Sequence, residues 1–339
     1  MGAGEHQRWV HAVEGVRVRT RRASVAVAMS RVADRQPANK GTNSTDHAVA
    51  IALDTSWVVV VLMGLVLAKV LSPQTFGWMV PLAALFVVRF EWDSPPPGVR
   101  WVVWKPDIRD LAVIAATFIV VTAGLRVAFA VKPADRGGAM FLTAASALLI
   151  GVVGPVVYTV WHRHRSLASL GVTIERGPQT AALSVLFGLH FLVTRNQQPL
   201  PAAGQWIPLL VMSAAVGLFE AVFFFGFAQG RLEESLGTLP AALVSATLYA
   251  LGHYGYHAAV GDLVAAFGFG ALFAIAYRLV RSIFVLWPLL TPVANFVSNM
   301  RQGIVSMPWT SLAAFVDVLL VMAVVMTASS RPGRSPDGS

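Results

Sequence analysis

From Gly137 to Trp161 the chain runs for 25 residues without one charged side chain. A helix rises 1.5 Å per residue, so about 20 apolar residues cross a hydrocarbon layer of about 30 Å. Lipid offers backbone amides and carbonyls no partner, so a run of this kind has to be helical. Apolar runs of near-spanning length recur along the chain. They predict helices near 48–71, 74–92, 110–131, 139–161, 179–195, 205–229, 239–257, 262–280, 282–300 and 307–329. The fold class expected is an all-α polytopic transmembrane helical bundle of about ten helices. Ser94-Pro95-Pro96-Pro97-Gly98 cannot continue a helix and marks a loop, as do 132–138 and 197–204.

Composition agrees. The chain is 56% hydrophobic and 13% charged, where soluble domains carry about 25% charged residues. With no cysteine, disulfides, cysteine-held zinc and thiol catalysis are excluded. The net charge is +9, and eight of the 26 Lys and Arg lie in residues 1–47. Most of the others flank apolar runs, which is how a membrane protein meets anionic headgroups. Membrane lipid is therefore the expected partner, and nucleic acid is not.

The loop charges alternate. Residues 89–109, 162–176, Arg231 and 278–281 fall on the side of the N-terminal arm; Lys132, Arg136, Arg195 and Arg301 fall on the other. The positive-inside rule then puts both termini in the cytoplasm, in a plasma membrane of bacterial type. Eight tryptophans, Trp161, Trp206 and Trp309 among them, sit near the expected helix ends as an interfacial belt. No internal repeat supports an inverted-repeat transporter.

The expected organisation is a basic arm over 1–47, N-terminal transmembrane helices over 48–162 and a core over 165–300. A last helix covers 301–329 and a polar tail 330–339. The arm reads as disordered and cytoplasmic, or else translation begins at Met29.

Ionisable groups at membrane depth are costly and mark function by default. Asp54, Glu220 and Asp317 are the acids that fall inside the expected apolar segments rather than at their ends. Asp54 lies one turn from its helix end; Asp317 reads as a hydrogen bond to a neighbouring helix. Glu220 is alone in a stretch from Asn196 to Gly230 with no other charge. It must be paired, protonated or facing water, which suits a general base. The next helix carries His253 and His257, four apart and so on one face, with Tyr249 a turn earlier and Tyr256 nearby. This polar stripe reads either as a site or as core histidines satisfied by carbonyls. His190, alone on an apolar face, reads as structural. Pro288 and Pro292 then break or kink a helix that carries Asn295 and Asn299, again four apart. These amides serve either a developing oxyanion or interhelical hydrogen bonds. Glu220, His253 and His257 could hold zinc with a fourth position open, but the glutamate that follows the first histidine in zinc peptidases is missing. No metal or cofactor is predicted.

Taken in order, these clusters resemble the CPBP family of intramembrane proteases, which includes the CAAX prenyl endopeptidase and bacteriocin-processing or immunity proteins. The family pattern is Glu-Glu-x-x-x-Arg, then Phe-x-x-x-His, then His-x-x-x-Asn/Ser. The resemblance spans about 165–300. Its first glutamate is Glu220, its second position is Ala221 and its arginine position is Phe225; Tyr249 and His253 match the second motif. The third histidine falls on Pro292 and the asparagine on Phe296, with Asn295 one residue out of register. The resemblance implies a water-activating pair, Glu220 and His253, with Asn295 the candidate oxyanion donor. His257, Asn299 and Tyr249 are secondary candidates. It implies an intramembrane endopeptidase acting on a membrane-anchored or prenylated peptide. The alternative is a catalytically silent relative with a binding or immunity role, since Ala221 and Phe225 have replaced polar groups.

Overall fold

A computed structural model describes residues 104–130, 138–175, 200, 202–256 and 258–330, with scattered positions between 177 and 191. The expected arm, the helices at 48–71 and 74–92, Asp54, His190, His257 and the polar tail lie outside the described residues.

The described chain is all-α. Its α-helices are α1 (Ile108–Ala130), α2 (Gly138–Val157), α3 (Ala203–Glu220), α4 (Gly230–Leu236), α5 (Thr238–Gly252), α6 (Val260–Val280), α7 (Leu290–Arg301) and α8 (Trp309–Ser330). Five continuous helical stretches are long and apolar enough to cross a membrane: α1, 142–162, 203–236, α6 and α8. The protein is thus an integral membrane protein by length and composition of its helices. The outward faces agree, since Ile119, Val127, Leu320 and Val324 are exposed.

Two expected spans are corrected. The helix expected over 239–257 is α5, 15 residues long, and then tightens into a 3₁₀ turn over His253–Tyr256. The helix expected over 282–300 is a short 3₁₀ turn at Ile283–Val285 followed by the 12-residue α7. At 1.5 Å per residue these reach about 22 and 18 Å, short of a bilayer. Proline explains the second case. Pro288 has no N–H for a helix running through it, whereas Pro292 sits in the first turn of α7, where N–H groups have no helical partner anyway.

Between α3 and α4 the same rod continues through nine π-helical residues, Ala221–Gln229, all buried. No periodicity in the sequence announces this. The widened run accommodates Phe223, Phe224, Phe225 and Phe227, whose rings pack on Phe219, Tyr249, Phe273 and Tyr158. Ser245 of α5 donates to the Phe224 carbonyl at 3.0 Å, supporting backbone that the wider turn leaves open.

The helices pack as an α1–α2 pair, an α5–α6 pair, and α3 against α7, with α8 across α2 and α3. One end of the bundle is ionic. Arg163 bonds Asp107 and, at 3.1 Å, Asp110, which also accepts from the Tyr158 hydroxyl at 2.7 Å. Arg165 meets Glu234 at 2.6 Å, and Arg281 meets the buried Glu233 at 2.6 Å. Gln229 donates to both Glu233 and the Ala274 carbonyl at 3.1 Å. The guanidinium of Arg163 holds the Asp107 carboxyl below its ordinary range, and Asp107 in turn raises Arg163. Arg163, Arg165, Arg231, Arg278 and Arg281, which charge alone groups together, are joined in this belt. Asp110 was not singled out from sequence; it is 2% exposed and anchors α1 to the belt.

Candidate active site

Glu220 is the last residue of α3, about midway along the 34-residue rod, and is 1% exposed. Its Oε2 accepts a hydrogen bond from Asn295 Nδ2 at 2.8 Å. The local cause is one glycine. Gly217 lies one turn before Glu220, and a Cβ there would stand 2.7 Å from Pro292 Cδ and 2.8 Å from Pro292 N. Without that Cβ, the first turn of α7 lies directly on α3, and the Thr291 hydroxyl donates to the Gly217 carbonyl at 3.0 Å. One turn further along both helices, Asn295 reaches Glu220. The Trp287 indole N–H, donating to the Ala214 carbonyl at 3.0 Å, fixes the same approach from the other side.

Gly217→Ala therefore separates α3 from α7. Overpacking against backbone costs about 1–3 kcal/mol. The expected result is a lower melting temperature in detergent together with loss of the Asn295–Glu220 contact. A melt unchanged from the parent protein would mean that the two helices are not held by this approach.

His253 opens the 3₁₀ turn after α5. Its Nδ1 is 2.9 Å from the Tyr249 carbonyl. A carbonyl only accepts, so Nδ1 carries the proton and Nε2 is left as the acceptor of the neutral ring. Tyr249 also lays its ring against the imidazole, centroid to centroid 4.7 Å. Glu220 and His253 line one small cavity of about 10 Å³, closed by Phe219, Phe223 and Phe224, Leu125 of α1, and Tyr256. One water needs about 10–15 Å³ by this measure. The cavity that Glu220 and His253 both line is the size of a single water.

Two wider cavities adjoin it. One, of about 370 Å³, is lined by His253, Tyr256, Asn295, Ser298, Asn299 and Gln302 with Met212 and Val216. The other, of about 130 Å³, runs past His253 and Asn295 toward Asp262 and Arg301. His253 and Asn295 stand at the junction of both. The two asparagines expected on one face of a helix do share the larger cavity, but only Asn295 touches Glu220. Ala221 and Phe225 are fully buried, and Phe225 packs among Tyr249 and Phe273 at ring distances of 5.8 and 6.1 Å. The positions that depart from the family pattern are filled with packed apolar groups. Among the described residues no three His, Asp or Glu side chains cluster as a metal site requires.

The stretch that carries Glu220 and His253 matches a known family. Residues 202–290 match the family described as Type II CAAX prenyl endopeptidase Rce1-like. This stretch is an Rce1-like domain of the CPBP family. No curated protein matches the chain. The Rce1-like domain contains Glu220 and His253 and ends at Leu290, so it is narrower than the expected 165–300. Asn295 and Asn299 lie just beyond it, on α7.

Residues that sequence reasoning passed over are Gly217 and Thr291, which with Pro292, read there only as a break in the helix, set the approach of α7. A glycine one turn before an isolated buried acid was the available signal.

Proposed function

We propose that this protein is an intramembrane endopeptidase in which Glu220 and His253 activate a water. The observation that carries the reading is the cavity of one-water size lined by both the buried Glu220 and His253, whose Nδ1 is taken up by the Tyr249 carbonyl. Asn295 positions the carboxylate by its hydrogen bond to Oε2. Water between Glu220 and His253 loses a proton to Glu220 as its oxygen attacks the peptide carbonyl carbon. On collapse the C–N bond breaks, Glu220 returns that proton to the departing nitrogen, and the water's oxygen stays on the new carboxyl group. The larger cavity supports a peptide as substrate. Its amides and hydroxyls, Asn295, Asn299, Gln302 and Ser298, offer the donors and acceptors that an extended backbone needs inside a membrane. A membrane-anchored or prenylated peptide fits an apolar surround of this kind. The test is turnover of prenylated and unprenylated peptide libraries by the purified protein. A second reading, a catalytically silent binding or immunity protein, is favoured by Phe225, which fills the family's arginine position with a packed ring.

The topology belongs to the same proposal. The ionic belt carries Lys105, Arg109, Arg163, Arg165, Arg231, Arg278 and Arg281, and by the positive-inside rule faces the cytoplasm together with both termini. Met307 N–H bonds the Gln205 carbonyl at the other end, so α8 starts there and runs back toward the belt. Exposed Gln302 rims both wide cavities at that other end, and exposed Arg301 rims the smaller one, so the site opens away from the cytoplasm. The chain has no cysteine, so single-cysteine variants report one position each. Gln302→Cys is expected to react with an impermeant maleimide on intact cells, and Arg165→Cys only after the membrane is broken. The reverse pattern would invert the topology.

A further inference from the structure

Peptide hydrolysis places a negative charge on the former carbonyl oxygen, and in a dry site that charge needs an aimed donor. Asn295 was the expected donor from sequence, but its amide is already committed. Nδ2 has two hydrogens; one goes to Glu220 Oε2 at 2.8 Å and the other to the Thr291 carbonyl at 3.0 Å. The Nδ1 hydrogen of His253 goes to the Tyr249 carbonyl. Asn299 lines the large cavity but not the one that holds Glu220.

Tyr256 lines both. Its hydroxyl is buried and has no hydrogen-bond partner. An unsatisfied buried hydroxyl is costly, so its position calls for an explanation. The backbone supplies the placement. In a 3₁₀ turn side chains three apart eclipse, which sets Tyr256 over His253 at a ring separation of 5.8 Å. Gly255 lets that turn lie on α1, since a Cβ there would stand 3.0 Å from Leu125 Cβ. Phe129 of α1 holds the phenol ring edge-on at 5.3 Å.

We propose that the Tyr256 hydroxyl is the oxyanion donor of the site, taking the role that Asn295 cannot fill. This rests on the hydrolytic reading above. As the water oxygen bonds to the carbonyl carbon, the C=O pair moves onto oxygen and accepts a hydrogen bond from Tyr256. No proton leaves the phenol. When the C–N bond breaks the oxygen regains its double bond and the hydrogen bond weakens. A donor used only at that moment has no partner in the resting protein, as observed.

The test is steady-state cleavage by the full chain and its Tyr256→Phe variant. The variant removes one oxygen that bonds nothing and leaves the ring packing. A fall in kcat of about 10²-fold with KM moving less than about threefold is the signature of a transition-state donor. A structural role would instead shift KM and the melting temperature. Should the variant fail to fold, difluorotyrosine at position 256 keeps the shape and acidifies the phenol; the alkaline limb of kcat is then expected to move to lower pH. Turnover by the parent protein with kcat unchanged in Tyr256→Phe, or with no movement of that limb, overturns the assignment alone. No turnover by the parent protein overturns the hydrolytic reading and the assignment with it.

Discussion

Glu220→Gln is expected to abolish peptide cleavage while leaving the protein folded. Gln keeps the volume of the side chain and can still accept from Asn295 Nδ2 through its carbonyl oxygen. It cannot take a proton from water. A positioned general base contributes about 10²–10⁴-fold, and groups acting as one unit fail together, so the residual rate should fall at least that far. Melting in detergent should stay close to that of the parent protein, because no charge is left unpaired by the change. The comparison separates the two readings of the site. Cleavage that vanishes in the variant assigns the base. Cleavage in neither protein, both well folded, makes Glu220 a structural acid and favours the silent binding protein. Cleavage that persists in the variant would place the chemistry elsewhere.

Phe225→Arg carries the largest expected cost in stability. Phe225 is fully buried between Tyr249 and Phe273, and its neighbour at Ala221 offers no carboxylate. An uncompensated buried charge destabilises by about 3–5 kcal/mol. Little folded protein should be recovered from membranes. The double change Ala221→Glu with Phe225→Arg restores the polar pair that the CPBP pattern carries at these positions, and should recover much of the loss. Positions 221 and 225 both fall in the widened helical run, where residues four apart still share a face. A single variant that melts within about 1 kcal/mol of the parent would show that water reaches this part of the bundle. Non-additivity in the pair is the quantity to read, since contacting residues couple.

Glu220 and His253 were legible in the sequence because an ionisable group in an apolar run stands out without any alignment. The all-α membrane class was legible for the same reason, from runs such as 137–161. The partnership of Asn295 with Glu220 was not legible; the sequence offered Asn295 as an oxyanion donor instead. The helix that carries Asn295 begins at Leu290 and not near 282, and its rotation is set by Gly217 and Thr291 on contact with α3. Where a helix starts decides which face its asparagines present, and composition does not fix that. Tyr256 sat in a recognised polar stripe, yet tyrosine is equally at home in a core. Only the fold shows its hydroxyl buried without a partner. The ionic belt joins Asp107 and Asp110 to Arg163, and Arg165 to Glu234, pairs about 50 to 70 residues apart that no local period reveals.

The π run between Glu220 and Gln229 has a mechanical corollary. It takes more residues per turn than an α-helix, so the far half of the rod lags in rotation behind a straight helix. Both halves are clamped: Glu220 to Asn295 at one end, Gln229 and Glu233 to Ala274 and Arg281 at the other. Winding the same nine residues as an ordinary helix would turn one clamp away from its partner. The wide segment is the gearing that keeps two separately fastened ends of one shaft in phase.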